Sequence, residues 1–104
     1  MSTNSASATS AEVDGFDLDA GWVLHEQVSI RPERFGALLY HFGTRRLSFL
    51  RSPALLVVVQ SLATAPTARA ACRSAGVPDS EMPSYSSALR ALAASDTIRP
   101  RDVA

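Results

Sequence analysis

The sequence predicts a small α+β domain: a three-stranded antiparallel sheet followed by three helices. Three observations lead there. Between residues 22 and 50 the apolar residues come in short runs broken by Pro and Gly, the pattern of strands joined by tight turns. From Ser52 onward the runs lengthen and carry helix-cap chemistry. The 104 residues suit one domain rather than two.

Residues 1–20 are rich in Ser, Thr, Ala and Asp, with Val13, Phe16 and Leu18 as their sizeable apolar groups. Such a stretch buries too little to offset its ordering entropy, so it is expected to be a disordered acidic arm. Residues 21–98 are expected to form the domain, and 99–104 a polar tail, the polar stretch beginning at Thr97. The first strand segments are Trp22–His25 and Val28–Arg31. Val28 and Ile30 alternate with Ser29 and Arg31. Pro32, lacking an N–H, is expected to stop the strand. Phe35–Phe42 reads as the central strand. Gly43-Thr44 is the expected turn, since Gly tolerates positive φ. Arg46–Leu50 follows as the third strand, with Leu47 and Phe49 on one face and Arg46, Ser48 and Leu50 on the other.

Ser52-Pro53 is a helix start, an N-cap followed by Pro at the first helical position. Ala54–Ala63 is apolar almost all round, so a buried helix is expected, although Val57-Val58-Val59 would equally suit a strand. Thr67 caps a second helix, Ala68–Ala75, which Gly76 ends. The third helix is capped by Ser80 or Ser84. It carries an apolar stripe of Tyr85, Ala88, Leu89, Leu92 and Ala93, and Asp96 closes it.

Charge is balanced overall, with ten basic and ten acidic residues and no Lys. The distribution is uneven: −5 over residues 1–30, +4 over 31–51 and +1 over 52–104. A zero total argues against a general nucleic-acid binder. No run approaches the roughly 20 apolar residues a membrane span needs, and no secretory signal is evident. The single Cys72 cannot form an internal disulfide, so a reducing cytoplasm is the expected compartment.

No constellation for catalysis stands out. The chain has no Gly-rich phosphate loop and no Gly-x-Ser-x-Gly elbow. His25, His41 and Cys72 have no recognisable metal spacing; the reading for them is two strand-end imidazoles and a buried thiol. No enzyme activity, cofactor or metal is therefore expected. The basic third strand is the informative segment. Arg45 and Arg46 open it and Arg51 closes it. With three strands at least one edge is open, and an open edge is a template for another strand. The Arg residues either deter edge-to-edge aggregation or form a docking strip for an acidic extended peptide. Arg90 and Tyr85 on the last helix could flank the same cleft.

The block Phe35–Leu50, FGALLYHFGTRRLSFL, followed by SPALLVVVQSLA and then by PTARAACRSAGV and EMPSYSSALRALA, resembles the small peptide chaperones of mycofactocin biosynthesis. The resemblance covers about residues 21–98; the acidic arm lies outside it. More remotely, Leu38-Leu39-Tyr40, Gly43 and Leu47 are similar to the strand-turn-strand of the pyrroloquinoline quinone chaperones. Both groups are recognition elements for ribosomally made, post-translationally modified peptides. The resemblance implies a winged helix-turn-helix-like domain that binds a precursor leader as an added strand between the third strand and the third helix. Carried onto this chain, Arg46, Leu47, Ser48, Phe49 and Leu50 would form one side, with Tyr85, Leu89, Arg90 and Leu92 as candidates for the other. The implied partners are the mycofactocin precursor peptide and a radical S-adenosylmethionine maturase that modifies its C-terminal Val-Tyr. The chain itself would be non-catalytic and cofactor-free, a monomer or weak dimer with no nucleic-acid or membrane partner. Two alternatives stand beside this: a winged-helix DNA-binding regulator, and a module that dimerises through its open edge.

Overall fold

The computed structural model describes residues 16–101. Expectations for residues 1–15 and 102–104 lie outside them. The order is β1 (Trp22–Leu24), β2 (Val28–Glu33), β3 (Gly36–His41), β4 (Arg46–Leu50), α1 (Pro53–Ser61), α2 (Ala68–Ser74), a 3-10 turn (Asp79–Glu81), α3 (Met82–Ala94) and β5 (Ile98–Pro100). The α+β class and the three-stranded antiparallel sheet followed by three helices are as expected. The sheet order is β2-β3-β4, and a separate two-stranded antiparallel sheet pairs β1 with β5.

Side chains alternate across β3. Ala37, Leu39 and His41 face inward, and Leu38 and Tyr40 are half-buried on the outer face. Leu50 is buried at the end of β4, while Leu47 and Phe49 point outward. The inner face packs with Leu55, Val58, Val59 and Leu62 at α1, Ala71 and Cys72 of α2, and Leu89 and Leu92 of α3. Val57 of α1 is exposed, so that helix is not buried all round.

The helix caps follow the sequence reading. Ser52 Oγ accepts from the Leu55 N–H at 3.2 Å with Pro53 in the first turn, and Thr67 Oγ1 accepts from the Ala70 N–H at 3.0 Å. Gly76 follows α2 at φ +86°. Helix α3 differs: neither Ser80 nor Ser84 caps it. The 3-10 turn leads directly into it, and Glu81 stands at the cap position without a side-chain bond.

Four further expectations are corrected. Pro32 does not stop β2, which runs on to Glu33 paired with Gly36. It is tolerated because β2 is an edge strand, with no partner on its other side among the described residues. In the β3–β4 turn the positive φ falls on Arg45, at +64°, rather than on Gly43. Gly43 is needed for close approach: an added Cβ would lie 2.9 Å from the His41 ring and overlap the Gln27 side chain. Residues 16–20 are packed rather than disordered. Phe16 is buried against Trp22, with ring centroids 5.0 Å apart. The Trp22 indole donates to the Asp17 carbonyl at 2.8 Å, and the Leu18 and Ala20 carbonyls accept from Arg69 and Ala68. Finally, the stretch after Asp96 is not a tail at its start. Thr97 and Ile98 are buried, and Ile98–Pro100 pairs with Trp22–Leu24.

Candidate functional site

The free side of β4 is the site the fold leaves open. β4 pairs with β3 alone, so its other edge carries backbone groups with no strand partner among the described residues. That edge and α3 are the two walls of a groove of about 370 Å³. Leu47, Ser48, Phe49 and Leu50 line it from the sheet, and Leu55 of α1 lines it too. Ala88, Ala91, Leu92 and Ser95 line it from α3. The α3 wall lies at i, i+3, i+4 and i+7, one helix face, and three of its four side chains, Ala88, Ala91 and Ser95, are small. Small residues leave room for a backbone to approach.

The lining is apolar, and Leu47 and Phe49 are 52% and 54% exposed. Two exposed apolar side chains this large, two residues apart on a free strand edge, make this groove the candidate docking surface. Arg45 and Arg46 stand at one end of β4 and Arg51 at the other, and none forms an ion pair among the described residues.

The residues expected from sequence fall unevenly around this groove. Leu47, Ser48, Phe49, Leu50 and Leu92 line it. Arg46 opens the strand at its mouth. Tyr85 is half-buried against the core, one helical turn beyond Ala88 on the same face. Leu89 is wholly buried. Arg90 lies over the Phe16 ring, 6.0 Å from its centroid, on a face that the groove does not include. Sequence reasoning missed Leu55, Ala88, Ala91 and Ser95 as lining. Ala88 stands in the apolar stripe and Ala91 and Ser95 beside it, and small residues carry no chemistry to notice.

The helix that a DNA-binding reading would use holds Arg69 and Arg73. Arg69 makes a two-pronged contact with Asp19, at 2.7 and 3.2 Å, and Arg73 is 3.6 Å from Asp79. The Arg69 guanidinium holds the Asp19 carboxyl below the usual carboxylate range, and Asp19 in turn raises Arg69. Each of these cations faces a carboxylate of the same chain. Cys72 is buried in α2, where desolvation raises its thiol pKa, and among the described residues it joins no cluster of imidazoles and carboxylates. No helix among the described residues is long and apolar enough to cross a membrane.

With the groove defined, the comparisons decide the family. The Peptide chaperone MftB family model matches residues 21–99. The chain belongs to that family. The chain is 55% identical over 96 residues to the peptide chaperone MftB of Mycobacterium tuberculosis, covering 92% of this chain and 88% of that protein. It is 56% identical to the protein of the same name from Mycobacterium ulcerans, covering 88% of this chain and 84% of the relative. A third relative so named, from Mycolicibacterium smegmatis, is 52% identical, covering 86% of this chain and 88% of its own. No solved structure gives a significant match. A chaperone's role is non-catalytic, and the chain is not an enzyme.

Proposed function

We propose that the groove between β4 and α3 receives the leader of the mycofactocin precursor peptide as an added strand. The chain then presents that peptide to a radical S-adenosylmethionine maturase, which modifies its C-terminal Val-Tyr. The observation that carries this is the free β4 edge facing Ala88, Ala91, Leu92 and Ser95 of α3, with Leu47 and Phe49 exposed beside it. In this reading Arg46, Leu47, Ser48, Phe49 and Leu50 supply the strand partner. Leu92, Ala88, Ala91 and Ser95 form the opposite wall, with Tyr85 at its N-terminal end.

The energetics explain why both anchors and charges are needed. Each added backbone hydrogen bond contributes about 0.5–1.5 kcal/mol net. A β4 of five residues therefore supports only a few kcal/mol. Ordering a flexible leader costs a comparable amount, about 2–5 kcal/mol. Apolar side chains of the leader, seated against Leu47, Phe49 and Leu92, supply the surplus. Arg45, Arg46 and Arg51 add charge attraction for an acidic leader at the two ends of the strand.

Calorimetry with the synthetic precursor peptide tests this. Exposed charges are screened by salt, so affinity is expected to fall about fivefold to tenfold between roughly 0.05 and 0.5 M salt, then level off on the apolar term. An affinity independent of salt would remove the Arg residues from the account. Absence of binding, with a mass in solution of two chains, would move the free edge to self-association.

A further inference from the structure

His25, His41 and Asp96 come from three distant points of the chain and meet at one place. His25 follows β1, His41 is the last residue of β3, and Asp96 joins α3 to β5. One donor atom from each lies within 4.8 Å of the others. The two imidazole rings are 4.4 Å apart by centroid. Asp96 Oδ2 is 3.6 Å from His25 Nε2 and 3.6 Å from His41 Nε2. His41 is 3% exposed, and its Nε2 makes no hydrogen bond. A buried ring nitrogen of this kind costs free energy unless a partner serves it.

Two imidazoles and a carboxylate would ordinarily suggest a metal ion. The other ring nitrogens argue otherwise. His25 Nδ1 accepts the Gln27 backbone N–H at 3.0 Å. His41 Nδ1 accepts two, from Gly43 at 3.0 Å and Thr44 at 3.1 Å. An Nδ1 that accepts cannot carry a proton, so in each neutral ring the proton sits on Nε2. A metal-bound imidazole has the reverse arrangement: Nε2 gives its lone pair and Nδ1–H donates to an acceptor. Here metal binding would drive Nδ1–H into backbone amides.

We propose that His25, Asp96 and His41 form a carboxylate clasp, in which one Asp96 oxygen faces the Nε2–H groups of both rings at 3.6 Å and attracts them electrostatically, and that this clasp positions the α3 wall of the groove. Helix α3 packs on the 3-10 turn, α2 and β5, while the groove separates it from β4. Asp96 follows Ser95, which lines the groove. His41 ends the strand paired with β4, in register with Arg46. The clasp thus ties the end of one wall to the strand that carries the other. Asp96 adopts a φ of +63°, which turns the chain out of α3 toward both rings. The positioning part of this proposal rests on the groove being the peptide site; the clasp itself does not.

The experiment uses the full chain labelled with nitrogen-15. Long-range proton–nitrogen spectra of the imidazoles report the tautomer directly. Both rings are expected as Nε2–H, unchanged when zinc chloride is added. Nδ1–H tautomers, or zinc-dependent shifts at both rings, would overturn the clasp. Peptide calorimetry then compares two variants. Asp96→Gly keeps the positive φ without steric cost and removes the acceptor. It is expected to weaken peptide binding about tenfold, as the α3 wall loses its polar tie to the β3 end of the sheet. Asp96→Asn retains an acceptor oxygen and tolerates the same φ, so it is expected to restore binding. Wild-type affinity in Asp96→Gly would overturn the positioning role. Failure of the wild-type chain to bind the peptide would overturn the groove reading, with the tautomer spectra still deciding the clasp.

Discussion

Replacing Ala91 with Trp is expected to weaken peptide binding about a hundredfold while leaving the fold intact. Ala91 is exposed on α3 and faces β4 across the groove. It buries nothing in the core, so the folded chain loses only the helix-propensity difference, about 0.5 kcal/mol. The indole would occupy the space an added strand needs. Displacing that strand or its anchors costs about 3 kcal/mol, roughly a hundredfold in Kd. Calorimetry measures the affinity, and thermal unfolding checks that the fold survives. Wild-type affinity in Ala91→Trp would place the peptide elsewhere.

Gly36→Ala is expected to have the largest effect on stability. Gly36 begins β3 at φ +151°, pairs with Glu33, and lies against the end of β4. An added Cβ would overlap the Leu50 carbonyl oxygen and stand 2.8 Å from the backbone nitrogen of Ser52. Both obstacles are main chain, and Ser52 is the N-cap of α1, so neither can swing aside. Strain and steric overlap together cost about 3 kcal/mol or more. In a domain this size that lowers the melting temperature by about 12–24 °C. A thermal melt followed by circular dichroism decides it; a shift under about 4 °C would contradict the close packing of this corner.

What was legible in the sequence was local. The caps at Ser52-Pro53 and Thr67, the Gly76 stop and the alternation at Arg46–Leu50 each rest on neighbouring residues. Those elements formed where expected. What was not legible depends on distant partners. Trp22–Leu24 and Ile98–Pro100 are three residues each and pair across most of the chain, so neither announces its partner. Phe16 looked like a stray aromatic in an acidic arm, because Trp22 and α2 complete its site only in the folded chain. Pro32 read as a strand breaker because its harmlessness depends on β2 being an edge. In α3 the stripe identified the face that packs, Leu89 above all. The groove takes Ala88 and Leu92 from that stripe and Ala91 and Ser95 from its flank, where they show no pattern of their own. The His25–Asp96–His41 cluster had no spacing to reveal it, since its members come together only through the turns after β1, β3 and α3.

The central claim is that a peptide strand adds to β4 opposite α3. Amide-resolved nuclear magnetic resonance with the synthetic precursor peptide tests it most directly. The account predicts chemical-shift changes and slowed amide exchange along Arg46–Leu50, with further shifts at Ala88, Ala91, Leu92 and Ser95. Saturation of the peptide with no change at β4, or changes confined to the faces of α1 and α2, would contradict it.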